Sequence, residues 1–159
     1  MRVPVFWALL IGTVALSFYL TAQGKQLIRA GTPGAIVDLE LAWTKTAAQS
    51  VIAKWANVLH VARRSIYVDF VFIVFYSLLL RMVCAAASQH LNGGWQRAGE
   101  LLAWGMLVAG VLDVIENIGM LMMLNGNFAP VLIVSIAAAV KFLLLAAGVV
   151  YILAAHVAR

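Results

Sequence analysis

Charge is what this sequence has least of. Only 11% of its 159 residues are Asp, Glu, Lys or Arg, against about 25% in an ordinary soluble domain. Apolar residues make up 65% of the chain, well above the roughly 45–50% of soluble proteins, and the mean hydropathy is +1.01. These values exclude a soluble enzyme, a disordered chain and a nucleic-acid-binding domain. A single cysteine, Cys84, excludes an intramolecular disulfide. It lies in an apolar run, which makes it a poor nucleophile. There is no glycine-rich nucleotide loop, no zinc-type ligand spacing and no Ser-His-Asp set. His60, His90 and His156 fall at expected helix ends or in connections, so no metal site is expected. No cofactor is indicated. No internal repeat is visible, which disfavours an inverted-repeat transporter.

What is there is a set of long apolar runs. A membrane helix needs about 20 mostly apolar residues, and four segments qualify: 4–22, 66–88, 101–124 and 131–155. The first is longer than the apolar core of a signal peptide and is followed by no clear small-x-small cleavage site, so it reads as a membrane helix. The expected fold is all-α: one polytopic membrane domain over 1–159, four transmembrane helices in an antiparallel bundle. The last two are joined by Asn125-Gly126-Asn127-Phe128-Ala129-Pro130, with Gly as stop and Pro as start signal.

The connection over 23–65 is too long for a bare turn. Thr32-Pro33 reads as an N-cap with Pro in the first helical turn. Further on, Ala48, Val51, Ile52, Trp55, Val58 and Leu59 recur at helical spacing, with Lys45, Gln49, Lys54, Asn57 and His60 elsewhere. One or two amphipathic helices at the membrane surface are expected. Trp7, Trp43, Trp55, Trp95 and Trp104 read as an interfacial aromatic belt, and Arg81 as a snorkelling side chain. Met120-Leu121-Met122-Met123 reads as packing. The net charge is +5. Lys25, Arg29, Lys45, Lys54, Arg63 and Arg64 in the connection outnumber Arg2, Arg97 and Arg159 opposite, a count that puts the connection in the cytoplasm; basic amphipathic helices also lie on a surface for other reasons, so the count does not settle the orientation.

A charge in the membrane core costs at least about 2.5–3.5 kcal/mol on insertion scales. Asp69, Asp113, Glu116 and Lys141 nevertheless fall inside the apolar runs. Counting depth from the last turn at about 1.5 Å per residue sets Lys141 level with Val114, within reach of Asp113 and Glu116. Counting from Gly93-Gly94 sets Asp69 level with about Ile118, and Tyr76 with about Val111. Asp113, Glu116 and Asn117 are spaced i, i+3 and i+4 and share one face with Ala109, Gly110 and Met120. Lys141 shares its face with Ala137, Ala138 and Leu145. Small residues on both faces permit close helix approach. From the connection, Glu40 rather than Asp38 is expected to cap the cluster. Fully ionised, such a set carries a net negative charge in a low dielectric, so a proton must sit on it or a cation must bind.

Leu39-Glu40-Leu41-Ala42-Trp43-Thr44, Asp69-Phe70-Val71-Phe72 with Tyr76, Asp113-Val114-Ile115-Glu116-Asn117 and Lys141-Phe142 occur in this order along the chain. In these pieces the sequence resembles a group of small bacterial membrane proteins with four predicted helices, to which no activity is attached. The resemblance implies a bacterial inner-membrane location. It singles out Glu40, Asp69, Tyr76, Asp113, Glu116, Asn117 and Lys141 as ligand-binding candidates, and it brings no chemistry.

Three functions fit these residues. The cluster could bind a proton, a cation or a basic headgroup, with transport by a homo-oligomer as the extended form. It could be the acid–base centre of a membrane-embedded enzyme acting on a lipid or isoprenoid. Glu116 and Asp113 would then be the catalytic candidates, and a cavity beside Glu116 opening to the bilayer is required. Or it could be a register-fixing network in an assembly subunit. The expected partners are the lipid bilayer, a lipid or small-molecule ligand and further copies of the chain, with no nucleic acid.

Overall fold

The computed structural model describes residues 3–89 and 91–157; Arg2, His90 and Arg159, weighed above, lie outside the described residues. Among the described residues the chain is helical, apart from one isolated bridge between Arg29 and Thr32. Its α-helices are α1 (Val3–Gly24), α2 (Val37–Glu40), α3 (Lys45–Lys54), α4 (Leu59–Ser88), α5 (Gly94–Leu124) and α6 (Val131–Val157). A short 3-10 turn, Lys25–Leu27, continues α1. Four helices, namely α1 with that turn, α4, α5 and α6, are long and apolar enough to cross a membrane. In lipid, backbone groups find no water, and a helix satisfies them all internally.

Two of the four reach further than their apolar runs. α4 begins at Leu59 rather than near residue 66, because nothing breaks the helix there and its buried stripe of Val61, Ala62, Ser65 and Ile66 runs straight on. α5 begins at Gly94, after Gly93 turns the chain at φ +63°. Between α5 and α6, Gly126 at φ +87° makes the reversal, and the Asn127 side chain accepts the Ala129 N–H at 3.1 Å.

α5 lies at the centre, packed on one side against α4 and on the other against α6. Small residues set the distances. A Cβ at Gly110 would stand 3.0 Å from the Cβ of Ser77 on α4, and Gly119 faces Val134 on α6 at similarly close range. α1 packs chiefly on the outer side of α4 and buries no residue of its own. α4 and α6 touch each other far less than either touches α5, so a cleft opens between them in front of α5.

The connection folds over one end of this bundle. Trp55 is fully buried, and its indole N–H donates to the Leu27 carbonyl at 2.8 Å. It is therefore a core anchor and not part of an interfacial belt, whereas Trp7, Trp43, Trp95 and Trp104 are exposed. Thr32 does not cap a helix. It is fully buried, accepting from the Arg29 N–H at 3.2 Å and donating to the Leu27 carbonyl at 3.2 Å, and the next helix waits until Val37. The cap in this region is Thr44, whose hydroxyl accepts the Ala47 N–H at 3.2 Å to open α3. The apolar stripe breaks after Lys54: Ala48, Val51 and Trp55 belong to α3 and the turn that follows, and Leu59 already belongs to α4. Leu27, Leu39, Ala48, Val51, Trp55, Ile66, Met120 and Met123 form one core, which clamps the connection onto α4 and α5.

Candidate functional site

Four carboxylates and one ammonium meet where the connection folds over the bundle. Lys141 on α6 points at α5. Its Nζ donates to Asp113 Oδ1 at 2.8 Å and to Glu116 Oε1 at 3.0 Å. Glu116 Oε2 is also near, at 2.9 Å, but its direction suits an ionic contact rather than a hydrogen bond. Asp113 and Glu116 are one helical turn apart on the same face, so a single lysine spans both. Glu116 has no exposed surface at all, and Asp113 and Lys141 are buried.

α4 supplies the second wall. The Tyr76 hydroxyl donates to Asp113 Oδ2 at 2.7 Å, so both Asp113 oxygens are occupied. Asp69 Oδ2 accepts from the Asn117 amide at 2.8 Å. Asp69 has no cationic partner among the described residues; its one hydrogen-bond donor is neutral.

Glu40 comes from the connection, and its placement needs a detour of the backbone. α2 delivers it, and Trp43 just after sits at φ +56°, a left-handed conformation that costs a bulky residue energy. Ser135 on α6 holds this turn. Its hydroxyl donates to the Glu40 carbonyl at 2.8 Å and accepts the Trp43 N–H at 2.9 Å. The Glu40 carboxylate, 7% exposed, then stands 3.9 Å from Lys141 Nζ, and its Oε2 has no hydrogen-bond partner. Burial pushes the Glu40 carboxyl above its ordinary range; the Lys141 charge pulls it back only in part. Asp38, two residues earlier, is turned outward and accepts the Gly34 N–H at 2.8 Å.

Two spaces adjoin these groups. The larger, of about 400 Å³, is the cleft between α4 and α6; Glu40, Asp69, Tyr76, Asp113 and Lys141 lie at one end, and Leu80, Leu145 and Val149 at the other. The smaller, of about 80 Å³, lies on the far side of Glu40 and Asp69, toward α1, and Ser65 and Asn117 line it. The Ser65 hydroxyl is buried there without a partner. That volume and those polar walls suit a few water molecules. Glu40 and Asp69 line both spaces and stand between them.

All seven expected residues therefore gather in one region: Tyr76, Asp113, Lys141, Glu116 and Glu40 are joined through Lys141 and Asp113, and the Asp69–Asn117 pair stands beside them; the depth count along the helices accounts for the pairing. Glu116 differs from expectation in one respect. It lines neither space, because Lys141 covers it, so it cannot touch a molecule in the cleft. Ser135 and Ser65 were not expected. The sequence signal for Ser135 was a hydroxyl in an otherwise apolar helix, three residues before Ala138 on the buried face. Arg81 lies with its guanidinium 4.9 Å from the centre of the Trp104 ring, away from the cluster. Among the described residues, no three His, Cys, Asp or Glu side chains are grouped so as to hold a metal ion.

The arrangement can hold positive charge. Fully ionised, Glu40, Asp69, Asp113 and Glu116 with Lys141 carry a formal −3, which a membrane interior does not tolerate uncompensated. No family model matches the chain, and neither a curated protein nor a solved structure is significantly similar to it.

Proposed function

We propose that the chain is a ligand-binding membrane protein whose carboxylate–lysine cluster takes a small positively charged group. The carrying observation is the surplus of carboxylates on the cleft side. Lys141 donates to Asp113 and to Glu116 and cancels one of their two charges. Asp69 is left without a cation, and Glu40 with a bare oxygen. In the empty site protons balance this surplus, and an arriving monovalent cation replaces one of them. Binding is then coupled to proton release, which is the elementary step of a proton-exchanging transporter. Four helices are few for a transport path, so that extended form calls for at least two copies of the chain.

A register lock alone would account for Lys141 with Asp113 and Glu116, but not for Asp69 and Glu40 against a cleft. Acid–base catalysis at Glu116 is disfavoured by its cover.

Infrared difference spectroscopy tests the reading. Ligand-free protein at neutral pH is expected to show a protonated carboxyl band, which butylammonium diminishes and which responds less in Asp69→Asn. A ligand-free, cation-free protein without that band would overturn it.

A further inference from the structure

The cleft is not uniform along its length. Its charged end is formed by Glu40, Asp69, Asp113 and Lys141. From Lys141 toward the other end of α6, the wall is Phe142, Leu145 and Val149, and α4 contributes Leu80 opposite. Lys141 to Val149 is two turns of helix, about 12 Å. A volume of about 400 Å³ falls within the roughly 300–1,000 Å³ of sites that take organic molecules; a proton or a bare ion would leave nearly all of it unfilled. The cleft is also open at its side: Phe142 and Val149 are 39% and 47% exposed, between helices that cross the membrane.

We infer that the site takes an amphiphile with an organic ammonium head, the head lying between Asp69 and Glu40 and the apolar tail running along Leu80, Leu145 and Val149. The inference rests on the cationic reading above and adds the tail and the route. Two observations beyond the number of acidic residues point to it. Glu40, more than nine-tenths buried, has an Oε2 that no hydrogen-bond donor serves, with only the distant Lys141 Nζ at 3.9 Å to offset it. The rest of the cleft offers no polar side chain that would hold a water-soluble ligand. An anionic head would meet surplus carboxylates, and a neutral head would displace none of the protons that balance them and gain nothing from their charge. A molecule of this class already resides in the bilayer, so it enters sideways between α4 and α6 without leaving the apolar phase. Its head trades water for Asp69, which now accepts only from Asn117.

The test uses the full chain in dodecyl maltoside, whose head is uncharged. Dodecylamine, 1-dodecanol and butylamine are titrated separately at pH 7, and adducts are read by native mass spectrometry. Dodecylamine is expected to saturate at one per chain and to bind at least tenfold more tightly than either control. Asp69→Asn should weaken it at least tenfold. Leu145→Trp, which fills the apolar end, should also weaken dodecylamine at least tenfold while butylamine keeps its wild-type affinity. Should Leu145→Trp fail to fold, Val149→Trp at the exposed rim serves instead. Dodecylamine binding that neither tryptophan variant weakens, with butylamine equally tight, would overturn the tail and leave the cationic reading standing. Equal binding of 1-dodecanol and dodecylamine, or no saturable amine adduct at all, would overturn both.

Discussion

Replacing Lys141 by methionine isolates the electrostatics of the cluster, because the side chains are similar in length and only the ammonium is lost. The lysine makes contacts of 2.8, 2.9 and 3.9 Å to three carboxylates in a buried setting. Removing one partner of a buried ion pair typically costs about 3–5 kcal/mol, since the other charge is stranded. With roughly 2–4 °C of melting temperature per kcal/mol for a chain of this size, the expected fall is about 6–20 °C. Cys84 offers a direct readout: it is the sole cysteine and has no exposed surface, so a thiol-reactive fluorophore labels it on unfolding. Adding Asp113→Asn and Glu116→Gln to Lys141→Met removes the two nearest of the three stranded charges while keeping shape. That triple variant should recover at least half of the loss. A single variant that melts within about 1 kcal/mol of wild type, or a triple variant no more stable than the single, would refute the electrostatic account.

Glu40 gives a pH dependence of definite sign. Burial holds its carboxyl above the ordinary value of 4.5 in the folded protein, so the native state binds the proton more tightly than the unfolded one. Stability from this group is then present at low pH and declines as pH rises from about 4.5 toward neutrality. Glu40→Gln should flatten that part of the melting-temperature profile. Trp55→Ala is expected to cost about 3–5 kcal/mol, as a buried indole and its bond to the Leu27 carbonyl are lost together; chemical denaturation would read the loss. Ser135→Ala should cost about 1–3 kcal/mol by leaving the Glu40 carbonyl and the Trp43 N–H without their partner, and hydrogen exchange should quicken at Trp43 before anywhere in α5.

The four spans were legible because lipid imposes one rule on long apolar runs. Their pairing was legible too: antiparallel helices at a fixed rise turn sequence distance into depth, which brought Asp113, Glu116 and Lys141 together on paper as in the structure. The connection resisted. Its path depends on Leu27 accepting from both Thr32 and Trp55, residues far apart in sequence. No local pattern announces such a knot, so Thr32 looked like a cap and Trp55 like a surface anchor. The left-handed turn at Trp43 was equally hidden, since only the hydroxyl of Ser135, on the last helix, makes it worthwhile. The covering of Glu116 is a matter of side-chain direction, which helical spacing does not resolve.

The short link between α5 and α6 has a consequence for how the chain enters the bilayer. α5 has the lowest mean hydropathy of the four spans, 1.8, against 2.4 for α6. It also emerges from the ribosome carrying two carboxylates whose lysine has not yet been made. Inserted alone, it would bear an insertion penalty of about 2.5–3.5 kcal/mol for Asp113, and more with Glu116. Delivered with α6 as a hairpin, it arrives with one of its two negative charges cancelled, because the reversal at Gly126 sets Lys141 opposite both acids. Insertion of the last two helices as one unit would thus spare part of that penalty, and the ion pair would act already during assembly.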